Sequence, residues 1–129
     1  MVEALITFYG ETDGSSTTGD FKLDSPVLHS KVDFIRIPKG MKLKIWCKRI
    51  SGKVETEIIF NYTDDVTAGT PSWKPIGHEY LASPGEIPLE KRRPVVVVGR
   101  TGKEAVKISW SQPTAGNAWV EVEAEFTED

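Results

Sequence analysis

The sequence predicts an all-β chain folded as a single-domain β-sandwich of about eight antiparallel strands, connected as a jelly roll or Greek key. Three observations carry that expectation. Short segments of alternating apolar and polar residues recur at intervals of roughly ten residues; Gly, Pro, Ser and Asp separate them; and no window sustains helical spacing. An open barrel is the alternative closure. With 129 residues, 39% of them apolar and 27% charged, the chain has the size and composition of one globular unit, so residues 1–129 are expected to form one domain.

Residues 2–9 set Ala4, Ile6 and Phe8 against Leu5, Thr7 and Tyr9. Both sides are apolar enough to predict a strand covered on both faces. Residues 10–19 are almost wholly Gly, Ser, Thr, Asp and Glu, so residues 1–20 are expected to be a strand plus a flexible arm. A tethered strand of this kind pairs with its own sheet or exchanges into a neighbouring subunit, and self-pairing carries more weight. Residues 21–23 begin a short alternating segment that Pro26 stops, and residues 32–37 form a denser β-branched and aromatic run before the Pro38-Lys39-Gly40 turn.

Residues 41–62 are the most constrained stretch. Met41, Leu43, Ile45 and Cys47 alternate with Lys42, Lys44, Trp46 and Lys48, the period of a strand with one buried and one wet face. A two-residue turn at Ser51-Gly52 then predicts a hairpin in which Ile45 faces Ile58, Leu43 faces Phe60 and Met41 faces Tyr62. The other face of that ribbon pairs Lys48 with Glu55 and Trp46 with Glu57, leaving an indole on the lysine side.

Residues 63–75 are rich in Asp, Thr, Gly and Pro and are expected to form a long loop with Trp73 as an anchor. Residues 76–81 follow as a short strand, and residues 83–85 as a turn. Four consecutive valines at 95–98 fit a strand buried on both faces. Val106, Ile108 and Trp110 alternate with Lys107 and Ser109, and the last strand sets Val120, Val122, Ala124 and Phe126 against Glu121, Glu123 and Glu125. A hairpin of these two strands would place Lys107 among the glutamates.

Chemistry is poorly provided for. The lone cysteine, Cys47, falls on the apolar side of its strand, which excludes an internal disulfide framework and a cysteine metal site. The two histidines, His29 and His78, sit in no catalytic or zinc motif. Asp13, Asp20, Asp64 and Asp65 match no calcium loop and fit Asx-turns better. The Asn61-Tyr62-Thr63 sequon lies within a predicted strand. No enzyme activity, metal or cofactor is therefore expected.

A net charge of −3 disfavours nucleic acid as a partner, and no stretch of roughly 20 apolar residues suggests a membrane span. The N-terminus lacks a secretory pattern, so the expected location is a cytosol or an assembling particle unless a leader has been removed.

Charge placement is more informative. Lys42, Lys44 and Lys48 surround Trp46 on one strand, whereas Glu121, Glu123 and Glu125 lie beside Trp119 on another. Aromatics rimmed by opposite charges suggest complementary docking surfaces. At fold level the chain is similar to small sandwich proteins that build or decorate virus particles and filaments, and to carbohydrate-binding modules. The expectation is a non-enzymatic structural protein, a capsid, decoration or filament subunit, that forms a homo-oligomer or docks on a larger lattice. The alternative is a glycan-binding module using Trp46, Trp73 and Trp119.

Overall fold

The computed structural model describes residues 3–25, 30–81, 85–86 and 93–129. Twelve strands are present among them, more than the eight expected because several are only two or three residues long. In chain order they are β1 (Glu3–Glu11), β2 (Thr18–Asp20), β3 (Leu23–Ser25), β4 (Ser30–Val32), β5 (Ile35–Arg36) and β6 (Met41–Gly52). There follow β7 (Thr56–Thr63), β8 (Lys74–Leu81), β9 (Gly85–Glu86), β10 (Val95–Val98), β11 (Ala105–Ser111) and β12 (Ala118–Glu128). A seven-stranded sheet runs in the order β10-β6-β12-β1-β3-β4, with β9 also on β6. A five-stranded sheet runs β2-β11-β7-β8, with β5 also on β11.

All pairings are antiparallel, and they nest from the chain ends inward. β1 pairs with β12, β2 and β5 pair with β11, β6 pairs with β10, and β7 pairs with β8. Because successive pairs fall on alternate sheets, the chain is an antiparallel ribbon rolled into a sandwich, which is jelly-roll connectivity. Leu43, Ile45, Cys47 and Ile50 of β6 and Val120, Val122 and Ala124 of β12 face Ile58 and Phe60 of β7 and Val106 and Ile108 of β11 across a sealed core. Phe21 packs on Trp110 in the same core, with ring centroids 5.0 Å apart.

The hairpin expected at residues 41–62 does not form. β6 belongs to the seven-stranded sheet and β7 to the five-stranded one, and Ser51-Gly52 pairs with Ala118 and Trp119 as the end of β6. Alternation fixes which face of each strand is buried, and that part holds: Leu43, Ile45 and Cys47 point inward. It leaves open whether two apolar faces lie side by side or face to face. Folding the ribbon over at residues 53–55 buries each face against the other. A bulge between β6 and β12 leaves Lys48 as the extra residue between Cys47 and Arg49, which returns Ile50 to the inside.

Other expectations fail for the same reason. β11 and β12 lie in different sheets, so Lys107 is not among the glutamates; its ammonium sits 3.3 Å from Asp20. Residues 32–37 do not form one strand: the chain breaks at Asp33-Phe34 and passes from β4 in one sheet to β5 in the other. β1 pairs with its own β12 along its whole length, but its outer face is not covered, since Leu5 and Tyr9 are exposed. Nor are the valines of β10 buried on both faces. Val97 is inside, opposite Leu43, and Val96 is exposed, opposite Lys44 on the outer face. His29 and the turn at residues 83–85 lie wholly or partly outside the described residues.

Polar groups lock the crossings at both ends. At one end, Gln112 Nε2 donates to Thr56 Oγ1 at 3.0 Å and to the Gly116 carbonyl at 3.1 Å, while Thr12 Oγ1 donates to that carbonyl at 2.8 Å. These contacts tie together the β1–β2, β6–β7 and β11–β12 corners. At the other end, Glu104 is buried and accepts the backbone N–H groups of Arg100, Thr101 and Gly102 at 3.1 Å each. Burial alone would raise its carboxyl, but the backbone donors of Glu104 itself, Thr101 and Arg100 together outweigh it and hold it below the ordinary value. Beside it, Gly99 approaches the Pro38 carbonyl so closely that a Cβ would lie 2.2 Å from that oxygen.

Glu79 on β8 is the opposite case. It is buried, its Oε1 has no hydrogen-bond partner, and burial raises its carboxyl despite the nearby charges of Arg93 and His78. A raised folded-state value favours the protonated fold, so this contribution is complete below the unfolded value and is lost as pH rises through the folded one. We therefore expect Glu79→Gln to stabilise the fold by on the order of 1 kcal/mol at pH 7. In urea titrations the advantage should vanish as pH falls below the ordinary glutamate range, about 4.3.

Candidate functional site

The pairing of β6 with β12 brings the eight charged and aromatic residues singled out in the sequence onto one face. Inward positions are taken by the core, so alternate residues of β10, β6, β12 and β1 make up the outer surface of the seven-stranded sheet. Lys42 lies opposite Thr127, Lys44 opposite Glu125, Trp46 opposite Glu123 and Trp119 opposite Ser51. The Lys48 ammonium is 3.8 Å from a Glu121 carboxylate oxygen. The basic and acidic strands, expected on separate surfaces, are immediate neighbours, a basic stripe beside an acidic one.

The two outer tryptophans differ. Trp46 is on the outer face as its parity requires, yet it is only 7% accessible. Its Nε1–H donates to Glu123 Oε1 at 3.2 Å, and the Lys44 ammonium lies 6.0 Å from the ring centroid. The expectation that this ring stands free is therefore corrected: it is buried on that face, with Glu123 and Lys44 among its neighbours. Trp119 is 41% exposed. Trp73 is on neither stripe; the Lys107 ammonium sits 4.8 Å above its ring, tying the loop to β11. The three tryptophans do not converge on one site.

Beside Trp119 is a shallow cleft of about 190 Å³ lined by Tyr9, Arg49, Ser51, Trp119, Val120 and Glu121. The Tyr9 hydroxyl is bonded to Glu121, and this bond, with the carboxylate's charge, raises the phenol above its ordinary value. Sequence reasoning missed Tyr9 and Arg49. Tyr9 needed the partner of β1, and Arg49 points outward only because of the bulge at Lys48. It also missed Leu5 and Val96, which are 57% and 55% exposed. The row Val96, Lys44, Glu125, Leu5 runs straight across four strands.

A second cleft, of about 470 Å³, lies on the outer face of the five-stranded sheet and is lined by Glu57, Ile59, Pro75, Ile76, Gly77 and His78. His78 Nδ1 is 3.3 Å from Glu57 Oε2. None of the residues lining it is a serine, threonine or cysteine. The Cys47 thiol is buried and pushed up to about 12 by that burial, reinforced by Glu79, so it is neither a nucleophile nor a bridge to another chain. Asp13 accepts the amides of Ser15 and Ser16, and Asp65 that of Thr67, as turn-forming aspartates do. Among the described residues no three His, Cys, Asp or Glu side chains group to hold a metal, and no helix is long and apolar enough to cross a membrane. Asn61 of the sequon is buried, its amide donating to Ser109 Oγ at 2.7 Å.

No protein-family model matches the sequence, and no curated protein matches it. Among solved structures, the chain is similar to murine APRIL, at 9% identity and a TM-score of 0.55, over 94% of this chain and 98% of that one. It is also similar to a chain from Bacillus endospore appendages that form disulfide-linked pili, at 11% identity and a TM-score of 0.48, over 99% and 88% of the two chains. A third similarity is to TmCBM61 in complex with β-1,4-galactotriose, at 10% identity and a TM-score of 0.41, over 97% and 70%. The likeness to APRIL supports the sandwich fold. At these identities and scores, none of the three speaks to what this chain binds.

The contrast between the two tryptophans has a measurable consequence. Trp46→Ala should cost about 3 kcal/mol in urea unfolding, the loss expected when a buried aromatic is truncated. Trp119→Ala should change stability by less than about 0.5 kcal/mol.

Proposed function

We propose that this chain is a non-enzymatic assembly subunit that meets its partner, another copy or a larger lattice, through the outer face of the seven-stranded sheet. One observation carries the reading. Of the five large hydrophobic side chains exposed among the described residues, four (Leu5, Tyr9, Val96 and Trp119) lie on that face, and only Phe34 lies elsewhere. Scattered single apolar residues are ordinary on a protein surface, but their gathering on one flat face that also carries two stripes of opposite charge is the composition of an interface.

Native mass spectrometry and light scattering across protein concentration test this. Association that rises with concentration and is weakened by Trp119→Ala or Leu5→Lys supports the reading. A strict monomer that is also indifferent to any particle contradicts it.

A second reading is favoured by the cleft at Trp119. An exposed indole, a phenol, a guanidinium and a carboxylate around a shallow depression are what stacking and hydrogen bonding to a sugar ring require. On this reading tryptophan emission shifts on titration with oligosaccharides, and Trp119→Ala abolishes the shift. No shift across a broad glycan panel removes it.

A further inference from the structure

We infer that the partner on this face is a second copy of the chain, docked about a two-fold axis that runs parallel to the strands between β6 and β12. The inference rests on the assembly reading and specifies its geometry. Such an axis carries each strand onto the strand at the same distance on its other side, so β6 lies over the partner's β12 and β10 over the partner's β1.

The register then decides what meets what. Val96, Lys44, Glu125 and Leu5 form one row whose centre lies between Lys44 and Glu125. Rotation about that centre places Lys44 over the second copy's Glu125 and Val96 over its Leu5. Basic meets acidic in the middle, and apolar meets apolar at both ends. The four central charges alternate around a square, each beside two of opposite sign, with like charges only on the diagonals. Along the same axis Trp46 lies over the second copy's Glu123, the Lys48–Arg49 bulge over its Glu121, again basic on acidic, and Lys42 over its Thr127.

Self-complementarity of this kind is not a general property of a charged sheet face. It requires the basic and acidic strands to be adjacent, in register and flanked by apolar residues on both sides, and the row of Lys44 and Glu125 on β10-β6-β12-β1 meets all three conditions. The area is sufficient. Strands of 12, 11, 9 and 4 residues (β6, β12, β1 and β10), spaced ~4.8 Å apart with a rise of ~3.3 Å per residue, outline a face on the order of 600 Å² per copy, near the lower bound for a stable complex.

The test uses two charge reversals, each self-repelling and each complementary to the other. Lys44→Glu makes the centre of the row wholly acidic, and Glu125→Lys makes it wholly basic. Each variant alone should associate at least tenfold more weakly than the parent. A 1:1 mixture should form a heterodimer, resolved by native mass spectrometry, with affinity close to the parent's. General attraction does not account for that rescue, because a reversal moves the net charge of −3 by only two units and both variants remain acidic.

Leu5→Lys, at an exposed position where folding is not at stake, gives an independent arm: it should weaken association, and Val96→Asp in the other copy should restore it. If the parent associates but neither mixed pair is rescued, the two-fold geometry is wrong while the assembly reading stands. A parent that stays monomeric at every concentration overturns the two-fold contact, and the assembly reading falls with it only if that monomer is also indifferent to any particle.

Discussion

Antiparallel pairing of β6 with β12 along the whole of β12 does two things at once in this molecule. On the inner side it sets Leu43, Ile45 and Cys47 beside Phe126, Ala124 and Val122, making the floor on which the five-stranded sheet closes. On the outer side it sets three lysines beside three glutamates. One register serves both faces because side chains alternate with a period of two, so a slip of one residue would expose the core and bury the charges together. Coupling of this kind means that the outer face is as well specified as the core. It also means that residues such as Trp46, lying between Lys44 and Glu123, support the sheet even though they face away from the core.

The price of rolling the ribbon over is a set of sharp crossings between sheets, each of which strips backbone groups of ladder partners. The molecule answers with a few side chains shared among several corners. Gln112 and Thr12 converge on the Gly116 carbonyl at one end, and Glu104 collects three amides at the other. Buried polar groups used this way hold loops that no apolar contact fixes, because leaving any one donor unpaired would cost about 1–3 kcal/mol. Among the described residues Glu79 Oε1, Ser25 Oγ and Trp110 Nε1 are the exceptions, buried without a partner, and Glu79 sits on β8 at the end of its sheet.

How much of this is legible in the sequence depends on the distance over which a signal acts. The inward positions of β6 and β12 are plain, because alternation is local and each strand carries it alone. Strand adjacency is not. A Met41–Tyr62 hairpin satisfies both faces on paper, yet nothing in residues 41–62 records that β12, more than fifty positions further on, is the better neighbour. The same gap hides Tyr9, whose partner strand lies at the opposite end of the chain, and Arg49, whose outward direction depends on a one-residue bulge. Val96 escapes a sequence reading because four valines in a row look alike whether one face of the strand is covered or both are. Parity places Trp46 on the correct side, but no period reveals that the ring is buried there with its Nε1–H on Glu123. The lysine and glutamate stripes are each visible in the sequence; that they share a surface is not.

Bringing those stripes together changes what they are able to do. Two distant patches of opposite charge lead to open chains of copies, each joined head to tail, whereas two adjacent stripes on one face are satisfied by a single two-fold encounter. Chemical labelling of lysine amines, read residue by residue by mass spectrometry at increasing protein concentration, probes this face directly. If copies meet through it, Lys44 loses reactivity as concentration rises, while Lys22, Lys53 and Lys103, exposed away from the face, react at a constant rate. Unchanged labelling of Lys44 at a concentration where the protein is demonstrably associated would contradict a two-fold contact centred on that lysine.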